Sequence, residues 1–166
     1  MPAGGTGLVL RGLRKEPATI GKWHLGWDLT YKEGKAKTVD NIDFTKRVAN
    51  GPTDRGFDYF YGLTSPSGPP HLYMVNDMAE KQPNTRFEES GGGLYKIKGG
   101  IGHSDWSADG MQPHLADKML EYLDENKDSD KPFFLYMALT APHIPLFPSK
   151  EFKGKSKIGD YGDLVM

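Results

Sequence analysis

The run Pro132-Phe133-Phe134-Leu135-Tyr136-Met137-Ala138-Leu139 decides how this chain folds. Both alternating sets of its side chains are apolar, the pattern of a central strand covered on two faces. Just upstream, Asp109–Lys127 holds the clearest helical period. Leu115, Met119, Tyr122 and Leu123 recur along one face, Pro113 suits a first turn, and Asp124, Glu125 and Asn126 belong to the solvated end. A helix followed at once by a buried strand is the rhythm of an α/β sheet. Further back, Ala18-Thr19-Ile20-Gly21-Lys22-Trp23-His24-Leu25-Gly26 has a short apolar start bounded by glycines, which predicts a second buried strand running into a loop.

Between these elements the pattern loosens. Asp28 to Asn50 is polar and lysine-rich and reads as an exposed excursion. Gly51 to Gly62 sets turn residues before a dense aromatic group, which predicts a loop pinned by packing. Residues 64–110 are rich in Gly, Pro, Ser and Asn. A stretch of that length inside a compact domain is expected to be functional or to hide short strands. The tail ends Asp160-Tyr161-Gly162-Asp163-Leu164-Val165-Met166, which predicts a helix beginning there, and Lys150, Lys153, Lys155 and Lys157 before it read as a solvated surface.

A length of 166 residues suits one domain or part of one. The net charge of -1 favours neither nucleic acid nor an anionic membrane as partner. Eight Phe, eight Tyr and three Trp are too many aromatics to leave in water, so the chain is expected to fold. No apolar run approaches the roughly 20 residues of a membrane helix. Met1 to Arg14 lacks the order and cleavage site of a signal peptide. With no cysteine there is no disulfide, thiolate zinc site or cysteine nucleophile.

The five histidines are His24, His71, His103, His114 and His143, and none has the spacing of a helical zinc site. A nucleophile elbow and a phosphate-binding glycine loop are also missing. Two positions remain. In an extended segment Lys22 and His24 project from one face while Trp23 turns to the other. Such neighbours repel unless an anion or carboxylates lie between them, although a strand-end lysine in water beside a core histidine would give the same spacing. Thr140-Ala141-Pro142-His143-Ile144-Pro145 directly follows the apolar strand, and ligands of open α/β sheets bind beyond the carboxyl ends of strands. The flanking prolines restrict the backbone around His143, as they would in any rigid loop.

The strings GKWHLG (21–26), GPTDRGFDYFYG (51–62) and FFLYMALTAPHIP (133–145), with GDYGDLV near the end, occur in an order and approximate spacing that resemble the sulfatase family, arylsulfatase-like members especially. The resemblance spans residues 16–166. It implies an α/β fold: part of one N-terminal catalytic domain of the alkaline-phosphatase-like type, with a mixed sheet, flanking helices and long loops. It implies that Lys22 and His143 contact the sulfate, and that Lys22, His24 and His143 are catalytic. His24 would hydrogen-bond the nucleophile's hydroxyl, and His143 would bind a sulfate oxygen and aid the leaving group. The family hydrolyses sulfate esters with a formylglycine nucleophile and a divalent cation, usually Ca2+, so a sulfated small molecule or sulfated glycan is the implied partner. For the complete enzyme a periplasmic or secreted location is implied.

The sequence also departs from the family. The nucleophile motif that should precede GKWHLG is absent, since there is no cysteine and serine first occurs at Ser65. The acidic residues of the metal site match nothing here, so no metal ligand is carried over. These departures favour a portion of a longer enzyme, inactive alone. A phosphate or phosphonate ester hydrolase of the same superfamily is one alternative. A non-catalytic anion- or glycan-binding protein is another, with Trp27, Tyr73 and Trp106 stacking on sugars. In the enzyme reading residues 64–110 are expected to wall the substrate entrance, where His71, His103 and Arg86 read more readily as solvated loop residues than as contacts to a second anionic group.

Overall fold

β1, Glu16–Lys22, is buried from Pro17 through Gly21 because it has a parallel neighbour on each side. These are β2, Tyr59–Leu63, and β7, Phe133–Ala138. The computed structural model describes residues 16–166, so the reading of Met1 to Arg14 lies outside the described residues. Two short strands, β3 (Met74–Val75) and β4 (Met78–Ala79), extend the sheet antiparallel beyond β2, giving the order β4-β3-β2-β1-β7. A separate ribbon pairs β5, Thr85–Phe87, with β6, Gly100–Gly102. Four of these short strands are the hidden elements expected of residues 64–110. The aromatic group after Gly51 is strand β2 as well as a packed turn.

The predicted helix is α1, Met111–Asn126. Its inward residues Met111, Leu115, Met119 and Tyr122 bury against Ala18, Ile20, Tyr61 and Leu63. Tyr122 also stacks on Tyr59 at 5.6 Å and donates its hydroxyl to the Glu16 carbonyl. A short helix, α2, forms at Asp160–Val165, where the tail was expected to turn helical. Lys150, Lys153, Lys155 and Lys157 are exposed. Among the described residues no helix is long and apolar enough to cross a membrane.

Two expectations need correction. The excursion Asp28–Asn50 is not wholly exposed. Ile42, Phe44 and Val48 bury against Trp23, Phe57, Phe60, Leu72 and Met74, forming the core on the sheet face opposite α1. Its ends are tied by paired backbone bonds between Asp28 and Ala49. Three apolar residues at irregular intervals leave no periodic signal, yet they suffice to cap one sheet face. The second correction is β7. Among the described residues it pairs only with β1, and Tyr136, Met137 and Leu139 are each more than half exposed. The doubly covered strand is β1.

Candidate active site at the carboxyl end of the sheet

The pairing of β1 with β7 sets Gly21 opposite Ala138, and its pairing with β2 sets Lys22 opposite Leu63. Three parallel strands therefore end at one edge of the sheet. The segments carrying Lys22 and His143 leave that edge from neighbouring strands. Close approach there depends on glycine. Gly21 has a φ of 128°, and a Cβ on it would overlap the Ala138 carbonyl. A Cβ on Gly62 would overlap the carbonyl of Gly21. The two glycines let β1, β2 and β7 close up just below Lys22.

Beyond that point Trp23 holds the chain. It is buried, its backbone N–H donates to Leu63 (3.0 Å), its indole N–H donates to Gly26 (3.0 Å), and its ring meets Phe57 edge-on. Lys22 is half-buried and His24 exposed, which is the alternation expected of an extended segment. On the β7 side, buried Thr140 packs on Met111, and its carbonyl accepts the His143 N–H at 2.9 Å, closing the turn that presents the imidazole. His143 is exposed, with Nδ1 2.5 Å from the Ile144 carbonyl. A carbonyl only accepts, so Nδ1 carries the proton and Nε2 is left to face a ligand.

The other candidates are placed elsewhere. His71 is 1% exposed, its Nε2–H donates to the Lys98 carbonyl at 2.7 Å, and its ring lies 4.4 Å from Trp106. Burial keeps it neutral, with its pKa below the ordinary value. It is a core histidine and not a second anion contact. Arg86 is paired with Asp40 at 2.8 Å, and His103 is bonded with Asn84 and Asp105. Tyr73 and Trp106 are buried in the α1-side core, and Trp27 is half-buried against Phe60. The aromatic surface that a glycan-binding remnant needs is therefore largely inside the protein.

Sequence reasoning passed over several residues of the site and of the core behind it. Gly21, Gly62 and Thr140 set its backbone. Asp163, at 2% exposure, accepts backbone N–H bonds from Ser156 (2.5 Å) and Gly154 (2.6 Å), which hold its carboxyl below the usual range and fold residues 154–163 together. His114 lies against Tyr61, whose hydroxyl is 2.6 Å from Nε2 and donates to Glu80, and against the Tyr73 ring at 4.4 Å. Only the glycine spacing around 21 and the helical phase of 114 hinted at these contacts. Among the described residues no group of His, Asp or Glu can hold a metal ion. The metal of the family therefore does not fit the residues present, and no step is derived through it.

Comparison with known proteins agrees with this architecture. N-acetylgalactosamine-6-sulfatase of Sus scrofa is 29% identical over 161 residues, covering 95% of this chain and 26% of the relative. N-acetylgalactosamine-6-O-sulfatase of Bacteroides thetaiotaomicron is 26% identical over 179 residues, covering 89% and 33%. A B. thetaiotaomicron sulfatase structure, solved in work on the metabolism of multiple glycosaminoglycans, superposes with a TM-score of 0.71 at 20% identity over 96% of this chain and 38% of its own. The PsFucS1 sulfatase of a Pseudoalteromonas species superposes with a TM-score of 0.58 at 20% identity, over 96% and 31%. Both superpositions speak to the fold. The chain thus spans about a quarter to a third of the curated relatives it matches. The sulfatase family model matches residues 9–164, taking in the Gly21–Gly26 turn, the aromatic strand β2 and the His143 loop in one stretch, and the chain belongs to the sulfatase family.

Proposed function

We propose that this chain is part of the N-terminal catalytic domain of a sulfuric ester hydrolase, and that it presents Lys22, His24 and His143 to the sulfate. Family membership implies a sulfated substrate, and a metal ion and formylglycine in the complete enzyme. Calcium is the ion proposed, with its ligands and the nucleophile outside the described residues. The observation that carries the reading is the register of β1 with β7. It supports a common origin for the Lys22 and His143 segments at the sheet edge where α/β folds bind ligands.

The chemistry follows from charge. As the S–O bond breaks, negative charge grows on the leaving oxygen, and fixed cations or N–H donors aimed at the sulfate stabilise it. Lys22 would supply a permanent positive charge. His143, with its Nδ1–H given to the Ile144 carbonyl, would act as the imidazolium, donating its Nε2–H to a sulfate oxygen or to the leaving group. His24 would accept a hydrogen bond from the nucleophile's hydroxyl. The relatives named for N-acetylgalactosamine 6-sulfate favour a sulfated glycan over a small aryl sulfate, and residues 64–110 would wall the substrate side. No observation favours a phosphate or phosphonate ester.

Titration of the isotopically labelled chain with sodium sulfate tests the assignment by NMR. The imidazole signals of His24 and His143 are expected to move with one shared saturation curve while those of His103 stay put, and Lys22→Ala should weaken that curve. Independent curves, or a silent His143, would refute it.

A further inference from the structure

Residues 90–97 form a hairpin that reaches the His143 loop. Ser90 and Ile97 exchange backbone bonds at 3.0 and 2.9 Å, and Tyr95 N–H closes the tip onto the Gly92 carbonyl at 3.0 Å. Gly91 and Gly93 both have positive φ, and a Cβ on Gly91 would overlap the Tyr95 carbonyl, so the glycine run gives the tip its shape. The Leu94 carbonyl accepts the N–H of Leu146 at 2.8 Å. Leu146 is three residues past His143, a backbone reach of at most about 10 Å.

Tyr95 is fixed in place without being covered. The hairpin tip holds its backbone, Phe147 packs edge-on at 6.1 Å, and the neighbouring Asp160 at the start of α2 raises the pKa of its hydroxyl. The residue is nevertheless 40% exposed. An immobilised aromatic face open to solvent has little freedom left to lose when a ring stacks on it. Beside it Lys96 is engaged by Glu89 at 3.0 Å, so this rim offers an apolar face and no further unpaired cation at that position. Such a face suits the C–H side of a pyranose and not a second anionic group.

We propose that Tyr95 is a specificity-determining residue that stacks on the sugar ring bearing the sulfate, while the His143 loop beside it takes the sulfate itself. This rests on the sulfate reading above and adds the part of the substrate that the sulfate contacts do not touch. Tyr95 touches no reacting atom, so its contribution falls on sugar affinity and not on sulfate affinity.

The test compares two probes on the 166-residue chain, sodium sulfate and N-acetylgalactosamine 6-sulfate, by NMR titration. Tyr95→Ala is expected to weaken the sulfated sugar roughly three- to tenfold and leave inorganic sulfate unchanged. Tyr95→Phe, which keeps the ring and its packing on Phe147 and loses only the hydroxyl, should retain most of the sugar affinity. In the unaltered chain, nuclear Overhauser contacts are expected between Tyr95 ring protons and the sugar's ring C–H protons, a readout that needs no variant to fold. Equal affinity of Tyr95→Ala and the unaltered chain for the sugar, or no such contacts, overturns the stacking role while leaving the sulfate site standing. Failure of sulfate itself to reach His24 and His143 overturns the sulfate reading, and the stacking role with it.

Discussion

A side chain on Gly21 would collide with the carbonyl of Ala138 on the neighbouring strand. At a φ of 128° it would also be strained in its own backbone. Gly21→Ala is therefore expected to destabilise the fold by about 2 kcal/mol or more, read as a lower urea midpoint. Because relief requires β1 and β7 to separate at the edge that carries Lys22 and His143, sulfate affinity should fall too. A variant as stable as the original would mean the strands do not approach this closely.

Lys22→Ala or His143→Ala, placed in a complete enzyme containing this segment, should cut sulfate-ester turnover by about two to three orders of magnitude. Steady-state kinetics on a chromogenic aryl sulfate measures this. Near-normal rates in either variant would remove that residue from the catalytic set.

The two faces of α1 should respond differently to truncation. Leu115 is fully buried and Leu120 is 64% exposed. Leu115→Ala is expected to cost about 2–5 kcal/mol, and Leu120→Ala no more than about 0.5 kcal/mol. Trp106→Ala belongs with Leu115, at about 3–5 kcal/mol. If Trp106→Ala left stability intact but abolished glycan binding, its assignment to the core would be wrong.

Acid should weaken the fold early. Burial lowers the pKa of both His71 and His114 from 6.5, although Glu80, Asp117 and Glu121 pull His114 the other way and Lys118 adds to the lowering. A lowered folded pKa means the unfolded chain takes up more protons. Stability is thus complete above about pH 6.5 and falls as the pH drops through that value towards the folded pKa values. Urea midpoints between about pH 7 and pH 5, above the range where carboxylates titrate, should decline in the natural chain. The decline should be shallower in a His71→Gln, His114→Gln double variant.

Much of this architecture was legible in the residues. Leu115, Met119 and Tyr122 marked the buried face of α1, and the alternation at Lys22, Trp23 and His24 matches the observed burial. What escaped was everything set by contacts between distant segments. Ile42, Phe44 and Val48 look like scattered apolar residues in a polar stretch until β1 and β2 bring their faces together. Tyr73 and Trp106 read as surface aromatics because the glycines around them suggested open loops, yet the loops fold over the sheet. For the candidate site, the strand-end position of His143 was readable from the apolar run before it. The docking of Leu94 on Leu146 was not, since a bond between residues so far apart in sequence leaves no local pattern.

Strand β7 has a further consequence. Its outer backbone donors and acceptors meet no other strand among the described residues, and Tyr136 and Met137 stand beside them in contact with solvent. A row of this kind invites any extended polypeptide to zip alongside it. Handled in isolation, the chain should therefore become turbid first at high concentration, and a lysine placed at 136 or 137 should keep it clear.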